Sequence, residues 1–157
     1  CKGNCCDAPL RLTWCMVTIH QSERHKIEAR GGVVVDGFLQ PKPGCKGCPF
    51  KSDGLCDLHF TSDKPFGCIA SPFTLNKNDT LIIRNCYKML PCYRGPAAKE
   101  PAYKAFFSSL SLLFGFVEAE KLVEHFDAGG GDLIMAMREE NYRKLRDNDE
   151  AKRNVKV

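Results

Sequence analysis

The sequence predicts an α+β fold in which a cysteine-rich N-terminal part, made of a small β-sheet and loops, packs on a C-terminal helical part. Three observations carry this. All ten cysteines fall at or before Cys92, β-branched and alternating apolar runs fall before the same point, and apolar residues at helical spacing follow it. The chain has 157 residues, 43% hydrophobic and 27% charged, the range of one ordinary globular domain. We divide it into a cysteine-stapled β and loop part over residues 1–98 and a helical part over residues 99–157, together one compact domain.

The first strand is predicted where Leu10, Leu12, Trp14 and Met16 alternate with Arg11, Thr13 and Cys15, running on through Val17 and Ile19. His20–Arg30 is polar and reads as a short helix or a solvated loop. Gly31-Gly32 breaks the chain before Val33-Val34-Val35, a second strand ending near Asp36-Gly37. From Gln40 to Pro72 the density of proline and glycine argues against regular structure, so cross-links through Cys45, Cys48, Cys56 and Cys68 would hold that region. Asn76-Lys77-Asn78-Asp79 reads as a turn, and Leu81, Ile82 and Ile83 as a third strand. Pro91, Gly95, Pro96 and Pro101 mark a linker.

Beyond the linker, Phe106, Leu110, Leu113 and Val117 share one helical face, which continues through Leu122, Val123 and Phe126 after an irregularity at Gly115. Gly129-Gly130-Gly131 ends that element. Asp132 is then the expected N-cap of a last helix with Leu133, Ile134, Met137 and Leu145 on its apolar side, and a charged, solvated end over Arg146–Lys156. The longest apolar stretch, Ala105–Val117, is interrupted by serines and too short to span a membrane, so no membrane span is expected.

The cysteines are Cys1, Cys5, Cys6, Cys15, Cys45, Cys48, Cys56, Cys68, Cys86 and Cys92. Their even number, irregular spacing and the vicinal Cys5-Cys6 favour disulfides and an oxidising compartment, with all ten as candidates. The competing chemistry is zinc, for which Cys45-x2-Cys48-x7-Cys56-x2-His59 supplies three thiolates and an imidazole, with Cys68 competing for the fourth place. Cys45-Lys46-Gly47-Cys48 also has the spacing of a thiol-exchange motif, but Pro49 follows it and no helix is expected there to lower a thiolate pKa.

Asn78-Asp79-Thr80 fits an N-glycosylation acceptor on a turn, making Asn78 the candidate site. Lys42, Lys46, Lys51, Lys64 and Lys77 are interleaved with Phe50, Phe60, Phe66 and Phe73, a pattern that can serve nucleic acid through phosphate contacts and base stacking. Acidic Asp53, Asp57, Asp63 and Asp79 dilute that field. The basic excess lies in residues 1–98, with thirteen basic and eight acidic side chains, against ten and eleven in residues 99–157. Trp14-Cys15, Glu23, His25-Lys26, Val35-Asp36-Gly37-Phe38, Phe114-Gly115-Phe116 and Gly131-Asp132-Leu133 form short runs whose order resembles a transferrin lobe. Only Asp36 matches an iron ligand in context, and the resemblance implies no function for this chain.

No nucleophile elbow, phosphate-binding glycine loop or zinc-protease helix is present, and the cysteine pattern is that of a stapled scaffold. The expectation is therefore a non-enzymatic, secreted or lumenal, disulfide-stabilised binding domain that recognises a protein or another macromolecule without a cofactor. The alternative is an intracellular or viral zinc-binding module contacting protein or RNA. A second alternative is a structural subunit of a larger assembly, docking through the apolar Phe106–Phe116 run.

Overall fold

A computed structural model describes residues 4–7, 16–95 and 98–153. The expected strand through Leu10, Leu12 and Trp14 lies outside these residues, as do Cys1, Cys15, Pro96 and the last four positions of the chain. In chain order the elements are α1 (Asn4–Asp7), α2 (Gln21–Ala29), β1 (Val34–Val35), β2 (Phe38–Leu39), β3 (Lys51–Ser52), β4 (Leu55–Cys56) and α3 (Phe66–Ile69). They continue with β5 (Phe73–Leu75), β6 (Leu81–Ile83), α4 (Asn85–Lys88), α5 (Pro91–Arg94), α6 (Ala102–Ala105), α7 (Phe107–Phe114), α8 (Phe116–Asp127) and α9 (Glu139–Arg153). The fold is α+β, and its strands form three separate antiparallel ribbons: β1-β2, β3-β4 and β5-β6.

Each ribbon turns where the sequence can adopt a left-handed backbone. Asp36-Gly37 closes β1-β2 and Asp53-Gly54 closes β3-β4, all four residues with positive φ, as a two-residue hairpin turn requires. The Asp53-Gly54 hairpin is regular structure inside the proline- and glycine-rich region where none is expected. Punctuating residues there act as turn formers and not as strand breakers. The segment at 16–19 joins the first ribbon: Ile19 N–H donates to Gly37 O at 2.8 Å and Leu39 N–H to Val17 O at 3.0 Å.

Two cores result. In the first, Ile19, Ile27, Val34, Leu39, Phe50 and Leu58 are buried together. The second gathers Phe66, Ala70, Phe73 and Leu75 with Leu110, Leu113, Ala119, Leu122 and Leu145. The β5-β6 ribbon therefore packs on the helices and not on the first two ribbons. Phe106–Phe116 folds back into this second core, with Leu110 and Leu113 at its centre, while Phe116 itself stays exposed.

Gly115, at φ 101, separates α7 from α8, where the sequence places an irregularity. A side chain at that φ would be strained, so the break is glycine-specific. The last helix differs from expectation. Residues 130–138 form no regular element and α9 begins at Glu139, so Asp132 caps no helix. The reason is a period of two: Met135 and Met137 pack against the second core while the intervening Ile134 and Ala136 face out. Helix α9 then buries Asn141, Leu145 and Asn148 on one face. Asn141 Nδ2 donates to Leu112 O at 2.8 Å and Leu113 O at 3.2 Å, capping the end of α7.

Leu113 is wholly buried at the centre of the second core. Leu113→Ala is expected to destabilise the chain by about 2–5 kcal/mol, measured as a lowered urea midpoint at unchanged slope.

Candidate functional site

Three separate segments bring cysteines to one place in the N-terminal half. Helix α1 carries Cys5 and Cys6, whose sulfurs stand 3.9 Å apart. The turn before β3 carries Cys48, whose N–H donates to Cys6 O at 2.9 Å. Strand β4 carries Cys56, paired in register with Lys51 of β3. The Lys51 ammonium reaches back to Asp7 beside Cys6, so an ion pair ties the hairpin to α1. Gly47 makes the close approach feasible, since a Cβ there would sit 2.5 Å from Cys6 O.

The thiols shift one another's acidity. The Cys6 thiol is held far above the ordinary range by its hydrogen bonds with Cys48 and Cys56 and by burial. Cys5 is pushed up by its hydrogen bond to Cys6 and by burial. Cys56 moves the other way, down to about 6, because the Cys6 thiol donates to it and the Leu58 main chain adds a second hydrogen bond. Among the described residues no sulfur pair is at disulfide bonding distance. Nor do three or more His, Cys, Asp or Glu side chains among them form a ready-made metal cage.

The sequence-predicted set Cys45, Cys48, Cys56 and His59 is brought together only in part. Cys45 is exposed, and the His59 ring lies edge-on to Phe60 with its Nδ1 3.1 Å from Lys64 Nζ. Cys68 neighbours the half-buried Tyr87, whose hydroxyl donates to Ser71 Oγ at 2.6 Å. Cys86 and Cys92 lie on α4 and α5, half-buried. Asn78 is exposed on the β5-β6 turn, as an acceptor site requires. Asp36 occupies the β1-β2 turn.

The aromatic and basic pattern does not form a stacking surface. Phe50, Phe66 and Phe73 are buried in the cores, leaving Phe60, 97% exposed, as the accessible ring of the four. Lys51 and Lys64 are turned to Asp7 and His59.

A concavity lies in the other half. A cleft of about 990 Å³ opens between the β5-β6 ribbon, helices α7 and α8, and the non-helical residues 132–137. Its floor is the second core itself, and Phe114 and Phe126 wall it. Its rim exposes Ile82, Tyr93, Leu133 and Ile134. The non-helical segment is fastened at its start by His125, whose Nε2 donates to Gly131 O at 2.8 Å. The ribbon's turn is fastened to α9 by Tyr142, which donates to Asp79 Oδ1 at 3.1 Å, and by an Arg146–Asp79 ion pair. Among the described residues no main-chain group hydrogen-bonds to the backbone of 132–137.

The sequence reading missed this cleft by assigning 132–137 to a helix. The signal that locates it is the alternation of Leu133, Met135 and Met137 directly after three glycines. No family model matches the chain, and neither a curated protein nor a solved structure matches it. Among the described residues no helix is long and apolar enough to cross a membrane.

Gly47→Ala drives a methyl group into the Cys6 carbonyl and separates α1 from the Cys48 turn. Overpacking of this kind costs about 1–3 kcal/mol, a fall in Tm of roughly 3–10 °C. Calorimetry reads the fall, and faster modification of Cys6 by a thiol reagent shows that the cluster has opened.

Proposed function

We propose that this chain is a non-enzymatic binding domain that receives an extended, apolar segment of a partner protein in the cleft beside residues 132–137. The observation that carries the reading is a wide apolar cleft whose rim leaves Ile82, Tyr93, Leu133 and Ile134 in water. Large apolar side chains grouped at the mouth of a concavity mark binding sites far more often than isolated exposed residues do.

The edge chemistry favours a peptide over a compact small molecule. Among the described residues, the main-chain donors and acceptors of 132–137 are used by no neighbouring strand, and β6 pairs on one side only, with β5. A partner strand would satisfy these groups by main-chain hydrogen bonds and place alternate side chains in the apolar floor, the usual division between affinity and specificity in strand addition. Both walls are anchored, by His125 at one and by Tyr142 and Arg146 at the other, so little ordering entropy is lost when the cleft fills.

A random peptide display selection on the immobilised protein tests this. Selected peptides are expected to be apolar at alternate positions. Their affinity for Ile134→Asp should fall about 10- to 100-fold, since burying one isoleucine contributes about 1.5–3 kcal/mol. Ile134 is fully exposed, so the substitution leaves the fold intact, which far-ultraviolet circular dichroism checks. Peptides that bind the Ile134→Asp and Ile82→Asp proteins as tightly as the parent would remove the cleft from the reading.

A further inference from the structure

We propose that Cys5, Cys6, Cys48 and Cys56 together bind one zinc ion, or another soft, tetrahedral divalent metal, closing the N-terminal half around it. The set differs from the one the sequence suggests, replacing Cys45 and His59 with the vicinal pair on α1.

Four observations converge on these sulfurs. First, α1, the Cys48 turn and the β3-β4 hairpin are held together by main-chain and ion-pair contacts that do not involve sulfur, yet they place Cys6 within hydrogen-bonding reach of both Cys48 and Cys56. Second, the Cys5 and Cys6 sulfurs are 3.9 Å apart. A tetrahedron with metal–sulfur bonds of about 2.3 Å has sulfur–sulfur edges of about 3.8 Å, whereas a disulfide needs about 2.05 Å. Third, Gly47 lets the Cys48 turn close directly on α1, since a Cβ there would lie 2.5 Å from Cys6 O. Fourth, cationic side chains stand where the bound cluster is anionic: Lys51 is in register with Cys56, and the Lys64 charge acts on both Cys5 and Cys56.

The binding reaction is balanced without any oxidant. Every ligand still protonated loses its proton to solvent, the ion accepts four sulfur lone pairs, and the bound site carries a net charge of about −2 with the divalent ion included. Because no cage is preformed among the described residues, the ion must draw the four sulfurs inward, and its uptake should tighten the surrounding chain.

The full chain, reduced and freed of metal, is titrated with cobalt(II) and then zinc(II). One equivalent of cobalt should give the intense visible bands and the sulfur-to-metal charge transfer of a tetrahedral thiolate site, bleached by one equivalent of zinc. Alkylation mapped by mass spectrometry should then show Cys5, Cys6, Cys48 and Cys56 protected in the zinc form and labelled in the apo form, with Cys45 labelled in both. Cys6→Ser should weaken cobalt at least about tenfold, the low end of what losing even a supporting partner of a ligand costs. Cys92→Ser should leave affinity unchanged. The labelling pattern needs no variant, so it decides the matter even where Cys6→Ser does not fold. Protection of Cys45 with labelling of Cys5 overturns the ligand set. Absence of stoichiometric metal uptake, or intact masses of natively prepared protein showing these cysteines in disulfides, overturns the site itself. None of these results depends on whether a peptide occupies the cleft.

Discussion

The two halves of the chain meet at the first turn of α3, and that contact constrains everything on either side of it. Glu23 on α2 accepts the Phe66 N–H at 2.8 Å with one carboxylate oxygen, while its other oxygen lies 3.3 Å from the His20 N–H that opens α2. The Phe66 ring is buried in the second core, touched edge-on by His20 and covered by the Lys144 ammonium 5.3 Å from its centre. A single carboxylate thus starts a helix of the first half and binds the first residue of a helix on which the second half packs. On the far side, Ser109 of α7 bonds the carbonyls of Ile69 and Ser71 at 2.7 and 3.0 Å. Polar groups buried in this way are specific because leaving either partner unsatisfied costs about 1–3 kcal/mol.

The cleft follows from how the second half is tied. Gly115 turns α8 away from α7, and the glycines after α8 let the chain leave the helix instead of continuing it. His125 then holds the departing segment by its carbonyl, at a distance that leaves no room for a side chain at Gly130, where a Cβ would meet the imidazole at 2.4 Å. With 132–137 drawn across one side and the β5-β6 ribbon fixed to α9 on the other, apolar floor residues remain between two walls that do not close. The opening is built in by tethers and is not a packing defect.

Much of this architecture was legible in the residues. The Phe106, Leu110, Leu113 spacing locates α7, Asp36-Gly37 ends the first ribbon's leading strand, and Gly115 marks the break. The Leu81–Ile83 run is a strand as read, but its partner, Phe73–Leu75, is only three residues long and directly follows the proline- and glycine-rich stretch, too short for alternation to show. Asp132 after three glycines carries the chemistry of an N-cap, yet the following period of two decides the outcome, because burying Met135 and Met137 gains more than one capping bond. The thiol cluster was legible only as a count of cysteines. Spacing along the chain pairs Cys45 with Cys48, whereas the fold pairs Cys48 with Cys6, some forty residues away, through a main-chain hydrogen bond that no local pattern encodes.

The need for such a cluster is itself uneven along the chain, which explains where the cysteines are. Ribbons of two-residue strands have little cross-strand area, and isolated hairpins of that length are at best marginal in water. The first half adds two short helices, α1 and α2, and a core cluster of six buried apolar side chains, too little to fix the relative positions of α1, the Cys48 turn and the β3-β4 hairpin. The second half has helices of eight, twelve and fifteen residues converging on its core and carries no cysteine after Cys92. Sulfur is therefore spent where burial is insufficient. The form of the staple then sets the compartment: thiolates around a metal persist where thiols stay reduced, while bridges persist where they are oxidised.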